Sequence, residues 1–261
     1  MECNLKAVIL AGGYGTRLGG ITTSIPKPMV EIGGQPILTH IMETYSRYDV
    51  TEFVVAAGYK ANVIKQYFAQ FNILRSDFFV DLRTGVIEPY FSGELSWKVG
   101  VFDTGLDVMT GGRLKRLKPL LGDGAFCVTY GDGLGNVDIE GLIAFHKSHG
   151  KLVTMTVVRP PARFGEVYLG SRNEVFKFEE KPQLVEGWIN GGFFVIEPEF
   201  LDQIAGDATM LEREPLEWAV ENGELMAFQH HGFWQCMDTP RDKTYLDDLA
   251  ARGECPWRPK N

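Results

Sequence analysis

Directly behind a short apolar run, Lys6–Ala11, the chain reads Gly12-Gly13-Tyr14-Gly15-Thr16-Arg17-Leu18, and a little further on Pro26-Lys27-Pro28. Glycines after a buried strand let backbone N–H groups approach an anion closely, while an arginine offers a planar fork and a lysine a point charge. Residues of these types in this order could wrap a triphosphate. A tight strand-to-helix turn with a surface arginine would use the same glycines. The prolines weigh against that bland use, because they fix the backbone on both sides of Lys27, which an idle surface lysine does not need.

Two familiar phosphate loops fail on these residues. A Walker loop needs a lysine after its last glycine, and Gly20 is followed by Ile21 and Thr22. A dinucleotide fingerprint needs a third glycine where Leu18 stands, and no acidic residue ends the next strand, Glu52–Gly58, so a nicotinamide enzyme is not expected. With 261 residues, 44% hydrophobic content and a net charge of -8, the chain reads as globular, without the broad positive field that nucleic acid or an anionic membrane requires. No apolar run approaches the roughly 18 residues of a membrane span, so a cytoplasmic protein is expected. Cys3, Cys127, Cys236 and Cys255 are widely separated, which reads as reduced thiols without a metal role.

The elements that must position these groups alternate. Lys6–Ala11 reads as strand, Pro36–Arg47 as helix, Glu52–Gly58 as strand, Asn62–Phe71 as a helix capped by Asn62, and Phe126–Asp132 as a further strand before a helix ending at Gly150. This is the pattern of βαβ units around a mostly parallel sheet. Phe78–Phe102 reads as inserted hairpins. From Leu152, strands at Val153–Val158, Glu166–Leu169, Glu174–Phe178 and Gly192–Ile196 read as a lobe packed against that sheet, and Thr239–Ala251 as a terminal helix. His146 and His149, three apart on a helix, read as helix-end packing or solvent-exposed groups rather than a metal pair, one of His230 and His231 as inward-facing, and Trp188, Trp218, Trp234 and Trp257 as packing or interface groups.

The loop and Pro26-Lys27-Pro28-Met29 resemble the sugar-1-phosphate nucleotidyltransferases. Met109-Thr110-Gly111-Gly112-Arg113-Leu114-Lys115-Arg116, Thr129-Tyr130-Gly131-Asp132-Gly133, Glu179-Glu180-Lys181-Pro182, Asn190-Gly191-Gly192-Phe193-Phe194 and Phe233-Trp234-Gln235-Cys236-Met237-Asp238-Thr239 are similar to the bacterial glucose-1-phosphate cytidylyltransferase subgroup. The resemblance covers nearly the whole chain. It implies an α/β, Rossmann-like, mixed but mostly parallel central sheet flanked by helices, with a small β-rich sugar-binding lobe. It also implies one domain over residues 1–261, with nucleotide binding in 1–150, sugar binding in 151–240, and a helix and tail in 241–261.

The implied reaction is CTP plus α-D-glucose 1-phosphate giving CDP-glucose and pyrophosphate, with Mg²⁺ held by Asp132 and Asp238. Two carboxylate oxygens with phosphate oxygens and waters suit octahedral Mg²⁺. The bland readings are a turn former for Asp132 and a helix N-cap for Asp238. The resemblance places Arg17 and Lys27 on the nucleotide phosphates, with Leu10, Gly12, Gly13, Gly15 and Thr16 around the nucleotide. It places Lys181 on the sugar phosphate, with Glu180, Gly165 and Asn190 in the sugar pocket. Arg17, Lys27, Asp132 and Lys181 are the catalytic set. Gly12 and Gly13, through backbone groups, and the segment from Gly111 to Arg113 are expected to face the pyrimidine, although Arg113 reads equally well as a solvated helix residue beside Lys115, Arg116 and Lys118. Homo-oligomers are a habit of the subgroup. The rival readings are a transferase using UTP or dTTP, or another sugar phosphate or phosphonate, and a silent nucleotide-binding regulator, which would have lost a metal carboxylate or the phosphate lysine.

Overall fold

Lys6–Ala11 is apolar on both faces because both faces are covered. Ala7, Ile9 and Ala11 point into one core layer and Val8 and Leu10 into the other, which is the burial of a central parallel strand. The computed structural model describes residues 5–90, 95–160, 166–169, 174–179 and 187–258. Lys6–Ala11 (β1), Glu52–Ala57 (β2), Lys98–Asp103 (β3), Phe126–Tyr130 (β4), Val153–Val158 (β5), Ile189–Ile196 (β6) and Leu225–His230 (β7) form one sheet in the order β7-β5-β6-β4-β1-β2-β3. β1 pairs in parallel with β2 and β4, β2 with β3, and β5 with β7, while β6 runs antiparallel between β4 and β5.

One face is covered by Ile37–Ser46 (α1), Ala61–Ala69 (α2), Ile139–His149 (α4) and Pro240–Ala251 (α6), and the other by Thr110–Leu121 (α3) and Glu214–Glu221 (α5). Phe193 and Phe194, adjacent in β6, divide between the two core layers. The tail is anchored as well. Trp257 is fully buried, its indole N–H donates to His40 Nδ1 at 3.3 Å, and Arg47 donates to its carbonyl at 2.6 Å.

The structure corrects three expectations about these elements. The hairpin Phe78–Val80/Ile87–Pro89 forms its own two-stranded sheet, whereas Lys98–Asp103 joins the central sheet in parallel as its edge strand. The rear strands are not a separate lobe: β5, β6 and β7 extend the central sheet, while Glu166–Leu169 and Val175–Glu179 pair with each other apart from it. An apolar β run suits any buried position, so which strand it pairs with is not written locally. Asn62 does not cap α2; the helix starts after Lys60, which adopts a left-handed conformation with φ 51°. Among the described residues, no helix is long and apolar enough to cross a membrane.

Candidate active site

The glycine turn leaves β1 at the carboxyl end of the sheet. Gly15 has φ 64°, and a Cβ there would lie 3.0 Å from Lys27 Cβ and 3.1 Å from Thr22 Cγ2, so conformation and space both demand glycine. The chain then coils through 3-10 turns at Thr16–Thr23. Thr22 returns its hydroxyl to the Gly15 carbonyl at 3.1 Å, Tyr59 donates to the Thr22 carbonyl at 3.0 Å, and Lys60 reaches the Thr23 carbonyl. Gly13 faces open space, and Leu10 is buried in β1.

Lys27 opens a short turn, Lys27–Met29, between its two prolines. Its ammonium donates to Asp132 Oδ2 at 2.6 Å and to Asp238 Oδ1 at 2.5 Å. Burial alone would lower the lysine's pKa, but the charge of Asp132 and the hydrogen bonds to both carboxylates outweigh it and raise it. Arg17, largely exposed, pairs with Asp238 Oδ2 at 3.0 Å. Burial opposes ionisation of Asp238, yet its hydrogen bond and charge contact with Lys27, together with Arg17, hold its carboxyl below the usual range.

The two aspartates are distant in sequence and meet for a simple reason. Asp132 follows β4, and the next residues, Gly133–Gly135, pair antiparallel with Trp234–Cys236, so Asp238 emerges beside it. The Asp132 carbonyl also accepts from Met237 N at 2.8 Å. The helix-cap reading of Asp238 is corrected: Thr239 caps α6 in a capping box with Asp242, which frees the Asp238 carboxylate for the site. The donor set fits Mg²⁺. Two hard carboxylates enclose a position where a cation already stands, and Cys236, whose ligand atom lies with theirs inside a 4.8 Å cluster, stays a protonated thiol because burial raises its pKa.

Arg113 is neither solvated nor part of a charged surface run. It is 4% exposed, and its Nη1 donates to Ala57 O at 3.2 Å, Thr104 Oγ1 at 2.7 Å and Gly105 O at 2.7 Å. Nη2 donates to Gly12 O at 3.2 Å and Leu106 O at 3.3 Å. A Cβ on Gly12 would sit 2.1 Å from the guanidinium carbon, so Gly12 is glycine because Arg113 lies against it. Gly111 packs against Thr209 O and Leu211 N, where a Cβ would come within 2.8 Å and 3.3 Å of them. The charged neighbours are occupied too: Arg116 pairs with Asp207, Lys118 with Asp202, and Lys115 donates to Ile204 O.

Asn190 stands at the start of β6, its amide donating to Tyr130 Oη at 3.2 Å and its carbonyl accepting from Gly192 N at 2.8 Å. Gly165, Glu180 and Lys181 lie outside the described residues. The structure therefore brings together Gly15, Arg17, Lys27, Asp132 and Asp238, and sets Arg113 under Gly12. The profile of the nucleotidyl transferase family matches residues 6–235. The chain belongs to this family. Its curated relatives include a glucose-1-phosphate cytidylyltransferase from Salmonella typhimurium, 49% identical over 97% of this chain and 99% of that protein. A probable glucose-1-phosphate cytidylyltransferase from Bacillus subtilis is 38% identical over the same shares. Among solved structures, HddC from Yersinia pseudotuberculosis has the same nucleotide-diphospho-sugar transferase fold, with TM-score 0.69 and 24% identity over 94% of this chain and 98% of that one.

Two residues beside this corner and its turn escape a linear reading. Cys236 reads as an idle thiol, although the period of two along the Trp234–Cys236 strand places it on the same side as Asp238. Tyr59 carries no motif, and only the fold lays it over the Thr16–Thr23 turns, with its ring 5.2 Å from that of Tyr14.

Proposed function

We propose that this protein transfers the cytidylyl group of CTP to α-D-glucose 1-phosphate, releasing pyrophosphate and forming CDP-glucose in the cytoplasm. The observation that carries this reading is the convergence of Lys27, Arg17, Asp132 and Asp238 beside the glycine turn, in a chain whose curated relatives include glucose-1-phosphate cytidylyltransferases. An oxygen of the sugar phosphate forms a bond to the α-phosphorus, and the bond to pyrophosphate breaks on the opposite side, with the leaving group taking the electron pair. The nucleophile is already an anion. What the protein must supply is alignment of two polyanions and stabilisation of the charge that builds between them.

Arg17 and Lys27 neutralise the nucleotide phosphates, and the backbone of Gly12, Gly13, Gly15 and Thr16 follows them. Arg113 acts on the nucleotide side by holding the Gly12 carbonyl and so the shape of the turn. Mg²⁺ on Asp132 and Asp238 supplies Lewis-acid neutralisation of phosphate charge when bound. Lys181 takes the sugar phosphate, and Glu180, Gly165 and Asn190 take the hexose. Residues 1–150 would thus form the nucleotide half and 151–240 the sugar half. Self-association is part of the proposal, because the Phe78–Pro89 hairpin leaves Phe79 67% and Leu82 90% exposed, a surface that a second copy would cover.

The deciding experiment measures pyrophosphate release with each nucleoside triphosphate against a panel of sugar 1-phosphates. Fastest turnover is expected with CTP and glucose 1-phosphate. Equal or better turnover with UTP or dTTP overturns the choice of base.

A further inference from the structure

Glu212 lies in the segment before α5. Its Oε1 accepts from Tyr130 Oη at 2.6 Å and its Oε2 from Thr110 Oγ1 at 2.6 Å. Among the described residues no lysine or arginine pairs with it. Each hydroxyl is also an acceptor, Tyr130 from Asn190 Nδ2 at 3.2 Å and Thr110 from Leu211 N at 2.9 Å. Each hydroxyl proton therefore has one direction: both relays run toward Glu212, whose two oxygens accept. The phenol cannot ionise in competition, since burial first and the Glu212 charge second push its pKa far up.

The two relays end in different halves of the site. Tyr130 is the last residue of β4, two before Asp132, and its ring fills the space a Cβ on Gly192 would need, 2.6 Å from its Cδ2. It therefore fixes both the Asn190 amide and the left-handed turn that follows, where Gly192 has φ 84°. Thr110 is the first residue of α3, the helix that carries Arg113 beneath Gly12. One carboxylate thus joins a sugar-side amide to the helix that supports the nucleotide turn.

We propose that Glu212 is a positioning residue that couples the two half-sites, orienting Asn190 through Tyr130 and the start of α3 through Thr110. The proposal rests on the reading of Asn190 as a sugar ligand. Steady-state kinetics on four variants test it. Tyr130→Phe removes one oxygen and raises KM for the sugar phosphate about tenfold, the scale of one hydrogen bond, with KM for CTP near the parent value. Thr110→Val does the reverse. Glu212→Ala raises both, and adding Tyr130→Phe to it raises the sugar phosphate KM no further, because that relay is already cut.

The two single-oxygen variants keep the test alive where Glu212→Ala fails to fold. KM values within about twofold of the parent in both of them, or effects that add in full in the double variant, overturn the proposal. Asn190→Ala separates the two readings. If it raises the sugar phosphate KM while Tyr130→Phe does not, coupling by Glu212 is overturned alone; if it leaves that KM unchanged, the placement of Asn190 and the sugar arm of the proposal are overturned together.

Discussion

Two buried cations serve the same glycine turn, Lys27 at its Gly15 end and Arg113 at its Gly12 end, and they are compensated in opposite ways. Lys27 faces two carboxylates, which any cation can satisfy. Arg113 faces the carbonyls of Ala57, Gly105, Gly12 and Leu106 and the hydroxyl of Thr104, neutral acceptors that need N–H donors in fixed directions. Burial accordingly lowers the Arg113 pKa, while its carboxylate partners raise that of Lys27. The corner around Lys27 is suited to exchange one cation for another, and the cage around Arg113 is suited to hold still.

The comparison can be broken in several ways. Asp132→Asn removes half of the carboxylate corner and is expected to lower kcat/KM about a thousandfold while leaving a folded protein. An active variant with the parent's circular dichroism would remove that corner from the chemistry. Lys27→Met is expected to cost roughly 300-fold in kcat/KM, and its thermal midpoint should rise more on Mg²⁺ addition than the parent's, because two facing carboxylates have lost their counter-ion. An equal response to Mg²⁺ contradicts the idea that the corner accepts either cation.

Arg113→Lys keeps the charge but cannot satisfy the cage, and urea unfolding should report a loss of about 3 kcal/mol from buried carbonyls left without donors. A loss below about 1 kcal/mol would make the cage dispensable. The smallest effect is expected from acid. Burial lowers the pKa values of His40, His146 and His230 from 6.5, so the unfolded chain binds more protons than the folded one just below that pH. Their contribution to stability is complete above about 6.5 and is lost as the pH falls through the lowered folded values. A melting temperature flat from pH 7 to pH 5 would contradict it.

Much of the carboxylate corner around Lys27 was readable along the chain. Proline-flanked Lys27, the glycines and the two aspartates are residue types whose chemistry is narrow, and their family order points to a nucleotidyl transferase. Arg113 was harder, because a helix rich in lysine and arginine normally faces water, and only the approach of Gly12 and Gly105 converts that face into a buried one. Glu212 carried no signal at all: beside Arg213 and Glu214 at a helix start it looks like dipole compensation. The histidine readings held for a local reason, since spacing alone brings His146 and His149 together, where both contact Thr154 Oγ1, at 2.8 Å and 2.7 Å.

From its order of residues alone, the chain determined the parallel βα pattern of its first half, the glycine turn behind β1 and the identity of the charged groups beside it. Those are properties of local periodicity, glycine conformation and side-chain chemistry. Tertiary structure alone decided that the rear strands complete the same sheet, that Asp238 arrives beside Asp132 through the pairing of Gly133–Gly135 with Trp234–Cys236, and that Arg113 lies under the turn. The reason is that strand partners and the burial of a charge depend on contacts between residues far apart in the chain, and a one-dimensional pattern does not state which distant segment will cover it.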